Sequence, residues 1–448
     1  MTRPVSAARG TVPEMASAPQ PGRSRSLYFL SPPALLLMAW TFLGLGVAWG
    51  YVGRNSLPVM VRTMQLNGID FAFPVIGMVW VGICLLVVAV VGFAVTRPIP
   101  QHAKVINGPR DLSKALRIAA LLHTVILIVV ALWILLGAQS VGGFDRLIAL
   151  AAEQDTYVAK EAILDNKLFP GMRLLYTGLI GLGVFGACVF AINLDSPARI
   201  RGDMKIGLGM FLASVVALSF LPIFLSQRIL LVQMVLSAFV AVSMVRGRVV
   251  NMRYGLLLAL LLFFVWSLRE AVTVGPWASD FSAARVGGEK LLYYLVNDFY
   301  NTITPFTAEL EKTYGAYSFK FLVYFSGLED KIHNSVGERM ALAEQFRAGG
   351  VFPAFTAPYV DFSWAGMIFV VGLVLLFGWV FDRAHRSFTF AVIYGQCGGA
   401  MLLTPHVAWY SHHNFTFNIL MLVLICAFIR RQTAPASETG RLRGGLPA

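Results

Sequence analysis

One arginine stands alone in a short polar turn between two apolar runs. The turn reads Leu225-Ser226-Gln227-Arg228-Ile229 and contains no other charged residue. A guanidinium group presents paired N–H donors that match two phosphate oxygens, so an arginine near a membrane surface can bind a diphosphate. The alternative is an arginine that only extends toward lipid phosphates. We predict that Arg228 binds an anionic ligand.

A second group of charged residues lies in a long segment without a membrane-spanning apolar run. Its members are Glu329, Asp330, Lys331, His333, Asn334, Glu338, Arg339 and Arg347. Residues 336–348 are typical of a helix that ends at the pair Gly349-Gly350. On such a helix Arg339 and Arg347 would lie about two turns apart and about 80° around the axis, so one anionic ligand could contact both. The alternative is a solvated helix with ordinary surface charges.

Two other ionisable positions border or enter apolar runs. Arg269 and Glu270 end the seventh run, where they can mark the membrane interface or serve a ligand. His123 is the one clear ionisable residue deep inside a run. We predict a hydrogen bond between packed helices for His123, since ion-coupled transporters keep several ionisable groups at that depth.

The cysteines and histidines do not form a recognisable metal site. All four cysteines lie in apolar runs without a CxxC pair, which is typical of small buried hydrophobic residues: Cys84, Cys188, Cys397 and Cys426. The spacing of His406, His412 and His413 matches no standard zinc motif. We therefore predict no metal and no cofactor.

The composition predicts a membrane protein. Of 448 residues, 57% are hydrophobic and 13% charged, whereas soluble domains are about one quarter charged. The mean hydropathy is +0.70, and a soluble chain of this length could not bury so much apolar surface. The net charge of +13 comes from basic residues between apolar runs rather than from a basic face with exposed aromatic residues. This pattern argues against a nucleic-acid partner.

The apolar runs predict an all-α, polytopic bundle of about ten membrane-spanning helices. Residues 1–26 are expected to form a disordered cytoplasmic tail, and residues 27–268 to contain helices 1–7. These spans are roughly Leu27–Tyr51, Ala72–Val95, Arg117–Gly137, Leu174–Asn193, Ile206–Pro222, Ile229–Val245 and Tyr254–Leu268. Residues 269–358 form a large outer loop with the candidate active site, because a structureless loop of that length is uncommon. Residues 359–429 contain helices 8–10, and residues 430–448 form a second cytoplasmic tail. The last three spans are roughly Val360–Phe381, Phe388–Thr404 and Asn414–Ile429.

The distribution of Lys and Arg predicts the orientation. With the N-terminus inside, the cytoplasmic segments hold 21 basic residues and the short outer loops hold seven. An even number of spans returns the C-terminus to the cytoplasm. The long loop would then lie between helices 7 and 8 on the outer, periplasmic side.

Three features resemble one family of membrane enzymes. They are the turn at Ser226-Gln227-Arg228, the large late loop, and the segment Pro358-Tyr359-Val360-Asp361-Phe362-Ser363-Trp364-Ala365-Gly366. The last segment is similar to the "Y-x-D-F-G-x-x-G" entry of the Wzy-type polymerases, which join O-antigen and exopolysaccharide repeat units. Ser363 stands where that family often has Gly. The resemblance covers roughly residues 205–385.

The resemblance implies a bacterial inner-membrane glycosyltransferase whose substrate is a polyprenyl-diphosphate-linked oligosaccharide. An acceptor hydroxyl would displace polyprenyl diphosphate from the donor glycan, with arginines stabilising the leaving group. The implied catalytic residues are Arg228, Arg339, His333 and Glu338, where His333 or Glu338 is the general base. Substrate-binding roles are implied for Arg269, Arg347, Asp361 and Tyr300. Implied partners are membrane lipid, a chain-length regulator and a flippase.

Other assignments remain open on the sequence. An O-antigen ligase would use the same donor, and a cell-wall polymerase of the SEDS type shares ten spans and a large loop after the seventh. A transporter or flippase of lipid-linked glycans is the alternative from another class. The charge-poor membrane core and the absence of an internal repeat count against it.

Overall fold

The computed structural model describes most of the chain between residues 27 and 429. The described ranges are 27–97, 112–152, 156–194, 201–225, 229–251, 280–307, 309–347 and 351–429, with single positions at 253, 260, 263, 267 and 270. Arg228, Arg269, both predicted tails and almost all of the predicted span Tyr254–Leu268 lie outside them.

The described residues form an all-helical structure without strands. The α-helices are α1 (Pro32–Gly53), α2 (Pro58–Leu66), α3 (Val75–Val95), α4 (Ser113–Ser140), α5 (Phe144–Ala152), α6 (Thr156–Asp165), α7 (Met172–Leu194), α8 (Arg201–Leu225), α9 (Ile229–Arg246), α10 (Ala283–Ile303), α11 (Lys320–Ser326), α12 (Glu329–Glu344), α13 (Thr356–Phe362), α14 (Gly366–Ala384), α15 (Phe388–Leu402) and α16 (His413–Ala427). This confirms the predicted all-α class.

Seven helical segments among the described residues are long and apolar enough to cross a membrane. They are Pro32–Ser56, Val75–Val95, Ser113–Ser140, Met172–Leu194, Gly202–Ser219, Ile229–Arg246 and Thr356–Ala384. Each overlaps a predicted span. The predicted ninth and tenth spans coincide with α15 and α16, which are shorter apolar helices of 15 residues each. The chain is therefore a helical membrane bundle.

Helix α7 lies at the centre of the bundle, since 83% of its most apolar 18-residue stretch is buried. Close packing around it depends on glycines. A Cβ at Gly186 would approach the carbonyl oxygen of Gly207 on α8 to 2.6 Å, and a Cβ at Gly181 would approach Asn418 Oδ1 on α16 to 2.7 Å. The Gly181 N–H donates to that same oxygen at 2.8 Å. Small residues at such interfaces allow helix backbones to approach closely in membranes.

The interior polar residues are used for packing. His123 Nε2 on α4 lies 2.9 Å from Ser214 Oγ on α8, which confirms the predicted hydrogen bond between helices. The four cysteines are buried and free, as predicted. The long apolar helices thus hold one another through van der Waals contact and a few hydrogen bonds.

The described residues 280–307, 309–347 and 351–355 lie at one end of the bundle, which we call the loop end, and they contain helices α10 to α12. Helix α10 is joined to the short helix α2 by Glu289, which is buried and accepts the N–H groups of Val59 at 2.7 Å and Met60 at 3.1 Å. Arg285 completes the junction with an ion pair to Glu289 at 2.7 Å. A carboxylate on the first N–H groups of a helix is a stabilising N-terminal partner.

Candidate functional site: two adjoining cavities at the loop end

One cavity at the loop end is rich in cations. It has a volume of about 450 Å³ and lies among the first residues of α7, α9, α11 and α16. Its charged residues are Lys167, Arg173 and Lys320. The other lining residues are Gly171, Leu174, Thr177, Ile229, Leu230, Tyr324, Trp409, His412, His413 and Asn414. We call it the cationic cavity.

No carboxylate is present among the described residues that line the cationic cavity. Lys167, Arg173 and Lys320 are all exposed, and none of them forms an ion pair with another described residue. A concave surface with charges of one sign concentrates ligands of the opposite sign. The cavity is therefore suited to an anion with several oxygens, such as a diphosphate.

His412 forms part of the wall and is electrically neutral. Burial, followed by repulsion from His413, Lys320 and Arg173, lowers the pKa of His412 to about 2. Its Nδ1 accepts the N–H of Asn414 at 3.2 Å, so the ring proton of the neutral form lies on Nε2. The indole of Trp409 stacks on the imidazole with 5.1 Å between ring centroids. His412 thus offers a hydrogen-bond donor without adding charge.

Three buried polar atoms of the wall lack a hydrogen-bond partner among the described residues. They are Nε1 of Trp409, Nδ1 of His413 and Oδ1 of Asn414. Buried polar groups are nearly always paired in native proteins, so each exception needs an explanation, such as a catalytic role or a bound ion. The three atoms provide one donor, one imidazole nitrogen and one acceptor beside the three cations.

A second cavity of about 290 Å³ adjoins the first, and Lys320 and His412 line both. It contains acidic and basic groups together, which are Glu329, His333, Glu344 and Arg347. The remaining lining residues are Ala316, Tyr317, Val323, Ile332, Met340, Val351, Phe352, Ala357, Val407, Ala408 and Ser411. We call it the acid–base cavity.

Polar contacts fix several groups of the acid–base cavity. Arg347 pairs with Glu344 at 3.2 Å and lies over the Phe352 ring at 5.8 Å. The Tyr317 hydroxyl donates to the Met340 carbonyl at 3.3 Å. Burial and then the charge of Glu344 raise the pKa of Tyr317, so its phenol stays protonated. The cavity therefore combines a fixed hydroxyl, a guanidinium, carboxylates and an imidazole.

The structure places the predicted site residues in different surroundings. His333 and Arg347 line the acid–base cavity. Arg339 lines neither cavity, because its guanidinium pairs with Glu311 at 2.8 Å and donates to the Lys312 carbonyl at 3.2 Å. Helix α12 runs from Glu329 to Glu344, so it begins and ends earlier than the predicted 336–348. The helical extrapolation from Arg339 to Arg347 therefore does not apply.

Asp361 has a well-defined partner set. It is 0% exposed, and its Oδ1 accepts from Thr313 Oγ1 at 2.5 Å and from the Tyr317 N–H at 3.2 Å. Its Oδ2 accepts the Ser318 N–H at 2.6 Å. These bonds hold the segment that leads into Lys320, which lines both cavities. The geometry assigns Asp361 to positioning this segment.

The other predicted site residues lie away from the two cavities or outside the described residues. Glu338 is exposed on α12 and lines neither cavity. Tyr300 on α10 packs against the cluster around Met60, and burial followed by the charge of Asp70 raises its pKa. Arg228 and Arg269 are not described, although Ile229, the neighbour of Arg228 in the chain, lines the cationic cavity.

Sequence reasoning missed Lys167, Arg173, Lys320 and His412 as a group. Each had a weak signal on its own. Lys167 and Arg173 belong to a polar segment that was counted only for topology, and Lys320 opens a short apolar stretch. Arg173, Lys320 and His412 are separated by 147 and 92 positions in the chain, and they meet here only because α7, α11 and α16 begin at the same end of the bundle.

The fold and the site define an all-helical membrane protein with a cationic cavity and an adjoining acid–base cavity at one end. No protein-family model, no curated protein and no solved structure matches the chain.

Proposed function

We propose that the protein is a membrane glycosyltransferase that polymerises lipid-linked oligosaccharides, with the donor diphosphate bound in the cationic cavity. The observation that carries this proposal is the grouping of Lys167, Arg173 and Lys320 around one cavity without a described carboxylate. A diphosphate has several oxygens for these donors, and charge-assisted hydrogen bonds to phosphate are among the strongest in proteins. The helices that are long and apolar enough to span a membrane support a lipid-anchored substrate.

The reaction forms one bond and breaks one. A hydroxyl oxygen of the acceptor sugar attacks the anomeric carbon of the donor, and the bond from that carbon to the phosphate oxygen breaks. Polyprenyl diphosphate leaves with the bonding electron pair, and the hydroxyl proton passes to a base. Cations fixed beside the departing oxygens stabilise the charge that develops there. The donor Nε2–H of His412 adds a neutral hydrogen bond at the wall between the cavities.

The acid–base cavity suits the acceptor sugar. His333 is exposed and lines the cavity, so we assign it the role of proton acceptor. Glu344 and Arg347 form an ion pair and can orient sugar hydroxyls as acceptor and donor. Because the two cavities share Lys320 and His412, a donor and an acceptor bound side by side would meet at this wall.

The segment 358–366 supports the likeness to the Wzy-type polymerases. Ser363 has φ 56°, a left-handed conformation that favours glycine, and the family often has Gly at that place. A Cβ at Gly366 would collide with the Pro358 carbonyl oxygen. The spacing of the family entry thus fits the backbone at both positions. The proposal includes the bacterial inner membrane, both termini in the cytoplasm and the loop end outside, as the basic residues predict.

The test combines a deletion strain with two variants. Loss of long polymer, with single repeat units still made and exported, supports a polymerase. Polymer that accumulates on the lipid carrier beside undecorated core would instead indicate a ligase, and repeat units trapped on the cytoplasmic leaflet a flippase. Arg173→Ala and Lys320→Ala should each reduce the amount of polymer about a hundredfold. This is the usual effect of losing one hydrogen-bond donor that stabilises a developing negative charge. Lys331→Ala, on the exposed surface of α12 and outside both cavities, is the matched control.

A further inference from the structure

A third cavity lies on the opposite side of helix α13 from the reaction site. It has a volume of about 320 Å³ and is lined by Ile76, Phe306, Thr307, Glu309, Leu310, Tyr359 and Ser363. Ala357 of α13 lines the acid–base cavity, whereas Tyr359 lines this one. Two residues correspond to about 200° of rotation on a helix, so the two cavities face opposite sides of α13. We call the third cavity the aromatic cleft.

One wall of the cleft is built from stacked aromatic rings. The rings of Phe306 and Tyr359 lie 3.8 Å apart with an angle of 27° between their planes. Trp80 supports Tyr359 at 5.3 Å, and Trp364 meets Trp80 edge-on at 5.4 Å. Trp364 is 46% exposed. This cluster holds the Tyr359 ring in a fixed orientation at the edge of the cleft, beside an accessible indole.

The polar groups of the cleft are hydroxyls and one carboxylate. Glu309 is exposed, and among the described residues its carboxylate has no ion pair or hydrogen bond. Thr307, Tyr359 and Ser363 add hydroxyl groups. No described lysine, arginine or histidine lines the cleft. Its chemistry is therefore opposite to that of the cationic cavity and is unsuited to phosphate.

Ser363 keeps a backbone conformation that glycine would adopt more easily. Its φ of 56° and ψ of −141° lie outside the regions favoured by residues with a Cβ. What serine supplies there and glycine cannot is the hydroxyl beside Tyr359. Strained positions of this kind concentrate at functional sites. The strain thus points to a use for the Ser363 hydroxyl in the cleft.

We propose that the aromatic cleft is a saccharide-binding subsite, separate from the reaction cavities, that holds an uncharged sugar unit of the glycan chain. The C–H face of a sugar ring packs on aromatic side chains, and its hydroxyls donate to a carboxylate and exchange hydrogen bonds with Thr307 and Ser363. The identity of the glycan rests on the proposed function, whereas the presence of a sugar site rests on the cleft alone.

The subsite can be tested by hydroxyl-radical footprinting of the purified full-length protein in detergent. The probe is a set of neutral oligosaccharides released by mild acid from the polysaccharide of the producing strain. We expect them to protect Tyr359 and Trp364 from oxidation, while inorganic diphosphate leaves both unprotected. Absence of protection by the oligosaccharides, or protection by diphosphate, would overturn the proposal and leave these residues as membrane-interface aromatics.

Glu309→Gln provides the second arm, with Asp330→Asn as the matched control. Both acids are exposed, and Asp330 lines none of the three cavities. Loss of one charge-assisted hydrogen bond should raise about tenfold the oligosaccharide concentration that half-protects Trp364, and Asp330→Asn should leave it unchanged. Equal half-protection in the wild type and Glu309→Gln would contradict the site. A deletion strain with normal polymer would refute the polymerase assignment and would not alter the footprint.

Discussion

The side chain of Asp361 offers a direct way to separate a positioning role from a substrate contact. Its Oδ1 accepts from Thr313 and Tyr317, and its Oδ2 accepts the Ser318 N–H at 2.6 Å. An Asp361→Asn substitution keeps the shape of the side chain. The asparagine oxygen can retain the two bonds at Oδ1, but its NH₂ group then faces the Ser318 N–H, so two donors oppose each other.

The cost follows from this geometry. A hydrogen bond to a charged group contributes about 1.5–3 kcal/mol, and a buried donor without an acceptor costs about 1–3 kcal/mol. Because Asp361 is 0% exposed, water cannot replace the lost acceptor without moving the backbone. We expect Asp361→Asn to lower the free energy of opening of residues 313–319 by about 3 kcal/mol. Because Lys320 would leave its place, the proposed polymerase activity should also be lost.

Hydrogen–deuterium exchange of the ligand-free protein measures this opening directly. The Tyr317 and Ser318 amides should exchange about a hundredfold faster in the variant, since 1.4 kcal/mol corresponds to a factor of ten. The Gly181 amide, bonded to Asn418 in the bundle interior, is the internal control and should not change. If activity falls while exchange of residues 313–319 stays at the wild-type rate, the positioning argument is wrong and Asp361 contacts substrate, as the resemblance implies.

Two further predictions concern stability. Ser363→Gly should raise the free energy of unfolding by about 1 kcal/mol, measured by thermal or denaturant unfolding. The reason is that relief of about 1–3 kcal/mol of backbone strain exceeds the entropic cost of a more flexible unfolded chain. A less stable variant would contradict the assigned strain. Burial alone would lower the pKa of His406, but the charge of Asp298, whose oxygens lie 2.8 and 2.9 Å from Nδ1, raises it. The resulting stabilisation is complete below about pH 6.5 and is lost as pH rises through the raised pKa. The Tm should therefore fall as the pH rises above about 6.5 in the wild type, and this fall should shrink in His406→Gln; equal slopes would exclude the pair as its cause.

The helices could be predicted from the sequence because lipid imposes strict requirements on them. A span needs about 20 mostly apolar residues and must satisfy its own backbone hydrogen bonds, so its existence can be read from composition alone. The hydrogen bond of His123 was predictable for the same reason, since a lone polar group in an apolar run needs a partner on a neighbouring helix. The identity of that partner, Ser214, depends on how α4 and α8 pack, and no periodic pattern encodes it.

The charged residues of the long loop show why chemistry was harder to predict than helices. Residue type suggested Arg339 as an anion ligand, yet its nearest acid, Glu311, lies 28 positions earlier and occupies its guanidinium. Exposed ion pairs contribute little to stability, and no sequence pattern indicates that these two residues pair. Lys320 has no such partner among the described residues and lines two cavities. Arg339 and Lys320 thus differ in whether a carboxylate lies close enough to pair with them, and this depends on the fold.

The segment 358–366 links these observations. The resemblance implies a substrate-binding role for Asp361, but this residue is 0% exposed, and Gly366 accommodates the Pro358 carbonyl. The segment positions other parts of the loop end. Asp361 on one face of α13 holds the segment that ends at Lys320, and Tyr359 on another face lines the aromatic cleft. A short motif can therefore resemble that of an enzyme family because it positions other segments at the loop end. The residues of the cationic cavity come from other helices, and no motif marks their order in the chain.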